Sequence, residues 1–85
     1  MATYLRFLDA AMNHAQYEKT EEGEWFASIP GFVGLWATGQ TVEAARKDLL
    51  EALDGWIEVT LKTGSRVPSV GDVSLYEELR KVADG

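Results

Sequence analysis

Three carboxylates stand at spacings that would bring them together. Glu51, Asp54 and Glu58 lie three and four residues apart, so a helix would place them on one face. Such a face would suit contact with a basic protein. It would equally suit a solvated helix surface with the ion pairs Lys47–Glu51 and Glu58–Lys62. The spacing favours the solvated surface and leaves the protein contact open.

Side chains suited to catalysis or metal binding are sparse. The chain has no cysteine, and His14 is its single histidine. His14 falls near the end of a predicted helix, where a partial positive charge would oppose the helix dipole. No group of inward carboxylates suited to two metal ions can be identified. We therefore expect a protein that binds other proteins, is not an enzyme, and has no catalytic residue, cofactor or metal.

The length and net charge of the chain narrow the range of possible functions further. The 85 residues include 14 acidic and 8 basic side chains, a formal net charge of -6. Scattered Lys and Arg residues argue against direct nucleic-acid binding, because phosphate neutralisation needs clustered basic groups. We expect one domain over residues 1–85, a basic protein partner and a cytoplasmic location, with neither a signal peptide nor a membrane helix.

Hydrophobic periodicity predicts the elements that position these side chains. We predict, in order, a helix, three strands, a long helix, a short strand and a short helix at residues 4–15, 16–20, 24–29, 35–38, 42–63, 65–68 and 74–83. This order, α-β-β-β-α-β-α, indicates an α+β fold in which an antiparallel sheet of three or four strands packs on the long helix. An open sheet edge in a domain this small favours association with a second copy or a partner.

Residues 25–45 contain the strongest sequence signals for the fold. A proline ends the second strand, glycines permit a tight corner, and a threonine N-cap opens the long helix with a carboxylate in its first turn. The residues expected to specify the fold are Pro30, Gly34, Gly39, Thr41 and Glu43.

The aromatic residues divide between core and surface. Period-two alternation places Trp25 on the core face of the second strand and Phe26 on the more polar face. Either the N-terminal helix or another subunit would cover Phe26. Core packing is favoured for Trp25 and Trp56, whereas Trp36 fits core and interface equally. We expect at least a dimer, whose assembly a charged replacement of Phe26 would weaken if that face is the interface.

Acidic residues also cluster at the predicted hairpin tip, around Gly23. Hairpin tips are normally polar, so these carboxylates either contact a partner or face solvent. The candidate partner or oligomer surface comprises Glu22, Glu24, Phe26, Trp36, Glu51, Asp54 and Glu58.

The order and spacing of these features resemble the HicB-like antitoxin domains over roughly residues 17–68. Gly31 and Ala44 stand where that family usually has acidic residues. The features that carry the resemblance are Trp25-Phe26, Ile29-Pro30, Gly34, Gly39 before Thr41, Glu43, Ala45, Trp56 and the exit from Gly64 to Pro68.

The resemblance implies a fold similar to a truncated ribonuclease H, and an antitoxin that blocks a small basic RNA-cleaving toxin of the HicA type by steric occlusion. It also implies self-association into dimers or tetramers. About 17 residues follow Pro68, too few for the DNA-binding module that many family members append. This and the departures at Gly31 and Ala44 support an alternative, a homo-oligomeric scaffold or regulator that kept the fold without a toxin.

Overall fold

Residues 2–84 form three helices and three strands. A computed structural model describes the backbone of these residues and the side chains of residues 4–80. The sequence prediction of an α+β fold, with a small antiparallel sheet packed on a long helix, is confirmed. The elements are α1 (Ala2–Asn13), β1 (Gln16–Lys19), β2 (Trp25–Ser28), β3 (Trp36–Gly39), α2 (Val42–Lys62) and α3 (Leu75–Asp84).

The fourth strand predicted at residues 65–68 is wrong, and the observed order is α-β-β-β-α-α. This segment has no regular structure, and a single antiparallel bridge joins Val70 and Val73 just beyond it. Val67 is buried, and its N–H donates to the Tyr76 hydroxyl at 2.9 Å. Because a side chain of α3 satisfies this backbone donor, Val67 is buried without a strand partner.

The sheet is an antiparallel meander in the order β1-β2-β3. Tyr17, Ala27 and Ala37 form one row across its three strands. Ala27 and Ala37 are buried in the core that α2 shares, so this row marks the inner face of the sheet. Trp25 and Ile29 belong to the same face and also pack against the core, which confirms the predicted alternation of β2.

The junction between β3 and α2 requires a glycine and a cap. A Cβ atom on Gly39 would lie 2.5 Å from the backbone nitrogen of Ala45, so a larger residue would displace the helix start. Thr41 is the N-cap, and its hydroxyl accepts a hydrogen bond from the Ala44 N–H at 3.0 Å. Glu43 lies in the first turn, where its charge favours the helix dipole. The helix therefore begins where the sequence predicts.

The corner after Pro30 is held in place by the long helix. Gly31 and Gly34 adopt φ values of 89° and 82°, a region that side chains with a Cβ rarely enter. The indole N–H of Trp56 donates to the Val33 carbonyl at 3.0 Å. This hydrogen bond fixes the corner to α2.

All three helices contribute to one core. The largest fully buried side chains are Phe7, Leu49, Leu53, Ile57 and Leu75. α1 packs against both α2 and α3. An ion pair between Arg6 and the buried Glu78 also joins α1 to α3, with a nitrogen–oxygen distance of 3.5 Å.

Gly55 occupies an exposed position in the middle of α2 with open space around it. No atom lies within 4 Å of a Cβ built at Gly55. Because glycine is about 0.5–1 kcal/mol less favourable than alanine within a helix, we expect Gly55→Ala to raise the free energy of unfolding by that amount. Urea denaturation measures this change. Gly39→Ala is the control of opposite sign, and a loss of stability in Gly55→Ala would contradict the open environment.

Candidate protein-binding surface

One face of the sheet lies open. α2 is the only described element that packs extensively on the sheet, and it covers the inner face. On β2, Phe26 and Ser28 alternate with the buried Ala27, so they point to the opposite, outer face. The strand registers place on that outer face Gln16, Glu18, Phe26, Ser28, Trp36 and Thr38.

Phe26 and Trp36 form a stacked pair on the outer face. Their ring centroids are 5.9 Å apart and their planes differ by 19°. The register pairs Phe26 with Thr38 and Trp36 with Ser28, so the two rings meet diagonally across β2 and β3. Trp36 is 58% exposed, and Phe26 lies outside the core cluster. The pair is thus an apolar platform on the open face, with Trp36 exposed and Phe26 half-buried.

Carboxylates flank this platform. Glu18 lies directly opposite Phe26 in the register of β1 and β2. Glu24 precedes Phe26 by two residues on the same face, and its carboxylate accepts a hydrogen bond from the Gln40 amide at 3.4 Å. We call Glu18, Glu24, Phe26 and Trp36 the acidic aromatic patch. A cationic side chain of a partner could lie over these rings and pair with these carboxylates.

The hairpin turn extends the negative charge beyond the patch. Glu22 is exposed in the turn between β1 and β2 and makes no ion pair with another described residue. The sequence groups Glu18 with the acidic residues of the hairpin tip, and it is the one member of the patch that the predicted partner surface does not include. Strict pairing outward from a turn closed by Thr20 and Glu24 is the signal that would have placed it opposite Phe26.

The three helical carboxylates lie on a different surface. Glu51, Asp54 and Glu58 are exposed on α2, which covers the inner face of the sheet, so the structure does not bring them to the patch. Glu58 already pairs with Lys62 at 3.3 Å, as the spacing predicts. The residues predicted to form one partner surface therefore lie on two separate surfaces of the protein.

Asp54 has a structural partner. The Tyr4 hydroxyl donates to its carboxylate at 2.5 Å, which joins α1 to α2. Partial burial raises the pKa of the Tyr4 phenol, and this hydrogen bond raises it further by a smaller amount, because both disfavour the phenolate. Asp54 thus has a structural role within the protein although it is exposed on α2.

The geometry needed for a metal site is missing from the part of the chain that the structure describes. Within that part, no group of three or more His, Asp or Glu residues is arranged to hold a metal ion. His14 is exposed one residue beyond the end of α1. None of the helices in residues 2–84 is long and apolar enough to cross a membrane.

Family comparisons agree with this architecture. The sequence model of the UPF0150-like family matches residues 6–68, which span most of α1, the sheet and α2. The chain belongs to the UPF0150-like family. No curated protein matches it. Among solved structures, this UPF0150-like chain is similar to TTHA0281 from Thermus thermophilus, with 35% identity and a TM-score of 0.79 over 87% of this chain and 93% of that one.

All four residues of the acidic aromatic patch fall within the region that matches the UPF0150-like family, whereas α3 lies outside it. The patch therefore lies within the part of the chain that the family model covers.

Proposed function

We propose that this UPF0150-like protein is an antitoxin-type binding module of the HicB kind. It neutralises a small basic RNA-cleaving toxin of the HicA type by covering the toxin surface that binds RNA. The observation that carries this proposal is the acidic aromatic patch, in which the exposed Trp36 stacks on the half-buried Phe26 and carboxylates flank both rings on an uncovered sheet face. Membership in the UPF0150-like family and the resemblance of residues 17–68 to HicB-like domains support it.

The chemistry of the patch suits contact with a partner protein that binds RNA. An RNA-cleaving enzyme needs Lys and Arg side chains to hold phosphates. The carboxylates of Glu18 and Glu24 offer those cations the same charge as phosphate, and the rings of Phe26 and Trp36 add apolar contact area and cation–π attraction. Occupation of the basic surface by the patch would exclude RNA from it.

The net charge adds a long-range contribution. A chain of charge -6 attracts a basic protein before contact, which raises the association rate at low salt. Glu51 and Glu58 contribute to this attraction, but they lie on α2 among Lys47 and Lys62, which weaken the local negative potential. The patch is therefore the better contact site of the two surfaces.

Gly31 has a conformational role in the corner after Pro30. It stands where HicB-like domains usually carry an acid, but its φ of 89° makes glycine the favoured residue in this corner. This conformational role of Gly31 does not depend on a partner.

The proposal predicts that a small basic protein is encoded beside the gene, and the direct experiment mixes the two proteins. We expect a complex on size-exclusion chromatography and suppression of RNA cleavage by the toxin. Neither complex nor suppression would contradict the proposal and favour the scaffold alternative. A complex that still cleaves RNA would contradict occlusion. Leu79→Ala, which shortens an exposed side chain on α3, should behave as the parent protein does.

A further inference from the structure

A second surface lies in a groove between α1 and α2. The groove has a volume of about 300 Å³. Two of its apolar side chains, Leu8 and Met12, are buried and form its floor, while Leu5 and Leu50 are 61% and 42% exposed along its walls. Apolar area of this kind costs free energy in water unless another surface covers it. The groove belongs to the helices, whereas the acidic aromatic patch belongs to the outer face of the sheet.

The charges of the groove differ from those of the patch. Asp9 on α1 and Arg46 on α2 both line the groove and are both exposed. Neither makes an ion pair with another described residue. Arg46 would repel a basic partner, and Asp9 would repel a nucleic acid. One acid and one base on facing helices suit a partner that presents the same two charges in the opposite order.

A second copy of this chain is such a partner. In a two-fold interface, residue i of one copy contacts residue j of the other, and j contacts i. Asp9 of each copy would then meet Arg46 of the other. Because each chain carries a net charge of -6, two copies repel at long range, and a surface bearing both signs offsets that repulsion where they touch.

We propose that the groove between α1 and α2 is the self-association surface, occupied by the same groove of a second copy. The exposed Leu5 and Leu50 of each copy cover the apolar floor of the other, and two reciprocal pairs of Asp9 and Arg46 close the rim. This arrangement leaves the acidic aromatic patch of both copies open. The inference goes beyond the proposed function and holds even for a chain without a toxin.

Charge exchange between two variants tests the reciprocal geometry. In Asp9→Arg the two rim contacts become base against base, and in Arg46→Asp they become acid against acid. We expect each variant alone to dissociate at least ten times more readily than the parent dimer, because like charges face each other. Mixing the two variants restores opposite charges at both contacts and should restore the dimer.

Light scattering at micromolar concentration and analytical ultracentrifugation measure the mass. Parent dimers, dissociated single variants and a dimer in the mixture support the proposal. A parent mass of 9.4 kDa, single variants that remain dimeric, or a mixture that stays monomeric would overturn it. Circular dichroism checks that both exposed substitutions leave the helices intact.

Further variants separate this inference from the proposed function. Leu5→Glu should dissociate the dimer as the charge variants do, while Phe26→Glu on the sheet should leave the mass unchanged. A dissociating effect of Phe26→Glu, with none from Leu5→Glu, would move the interface to the sheet and overturn the proposal. Toxin binding is measured separately. Because the groove and the acidic aromatic patch are different surfaces, Asp9→Arg should bind toxin as a monomer even though it cannot dimerise.

Discussion

Replacing Phe7 with alanine is expected to lower the free energy of unfolding by about 3–5 kcal/mol. Phe7 is completely buried on α1, and its ring centroid lies 6.5 Å from that of Phe32. Phe32 in turn lies 5.1 Å from Trp56 of α2. The substitution therefore leaves a cavity where α1, the corner after β2 and α2 meet, and it removes one ring from a chain of three.

That loss is a large part of the stability available to a domain of this size. Globular domains have free energies of unfolding of about 0.05–0.15 kcal/mol per residue, so 85 residues have a margin of about 4–13 kcal/mol, and the substitution would remove about a quarter of it or more. Urea denaturation followed by tryptophan fluorescence measures the change. Asn13→Ala, at an exposed position on the same helix, is the control and should change stability by about 0.5 kcal/mol or less. A comparable effect of both substitutions would contradict the inclusion of α1 in the core.

Replacing Trp36 with alanine is expected to weaken toxin binding by about 30-fold or more and to leave the fold intact. Buried tryptophans at the centre of an interface commonly contribute about 2 kcal/mol or more, which corresponds to roughly that factor. Trp36 is 58% exposed in the isolated chain, so its removal costs little stability. It does remove the larger ring of the stacked pair and leaves Phe26 alone on the platform.

Titration calorimetry at fixed salt measures this loss. Leu79→Ala removes an exposed apolar side chain from α3 and should leave the affinity unchanged. Glu51→Gln removes an exposed carboxylate from α2 and should reduce only the weak long-range attraction. If Trp36→Ala bound as tightly as the parent protein and Glu51→Gln did not, the helical surface would be the contact and the patch would not.

Local signals in the sequence were sufficient for most of the fold. The helix start at Thr41 follows from cap chemistry, and the corner after Pro30 follows from residues whose backbone preferences are strong at short range. The alternation in β2 placed Phe26 on the outer face in the same way. These features depend on a few neighbouring residues, so tertiary contacts did not override them.

Features that depend on distant residues were not predictable. The expected strand at residues 65–68 fails because Tyr76 supplies the hydrogen bond that a strand would have supplied. The stacking of Trp36 on Phe26 depends on the register of β2 and β3.

The groove between α1 and α2 was not predictable from the sequence for a related reason. Its walls come from α1 and α2, so its residues are about 40 positions apart in sequence, from Asp9 to Arg46. Apolar periodicity shows that each helix has a buried face, but it does not show where two helices leave a gap between them. Only the packing of α1 on α2 brings the acid and the base to one place.

The three indole N–H groups provide the most direct test of the central claim, that the outer face of the sheet binds a basic protein. Trp36 reports on the outer face, Trp25 on the inner face, and Trp56 on the hydrogen bond to Val33. In two-dimensional NMR spectra of the nitrogen-labelled protein, titration with the toxin should shift the Trp36 indole signal most and leave that of Trp56 in place. An unmoved Trp36 signal, with shifts confined to the amides of α2, would contradict the account.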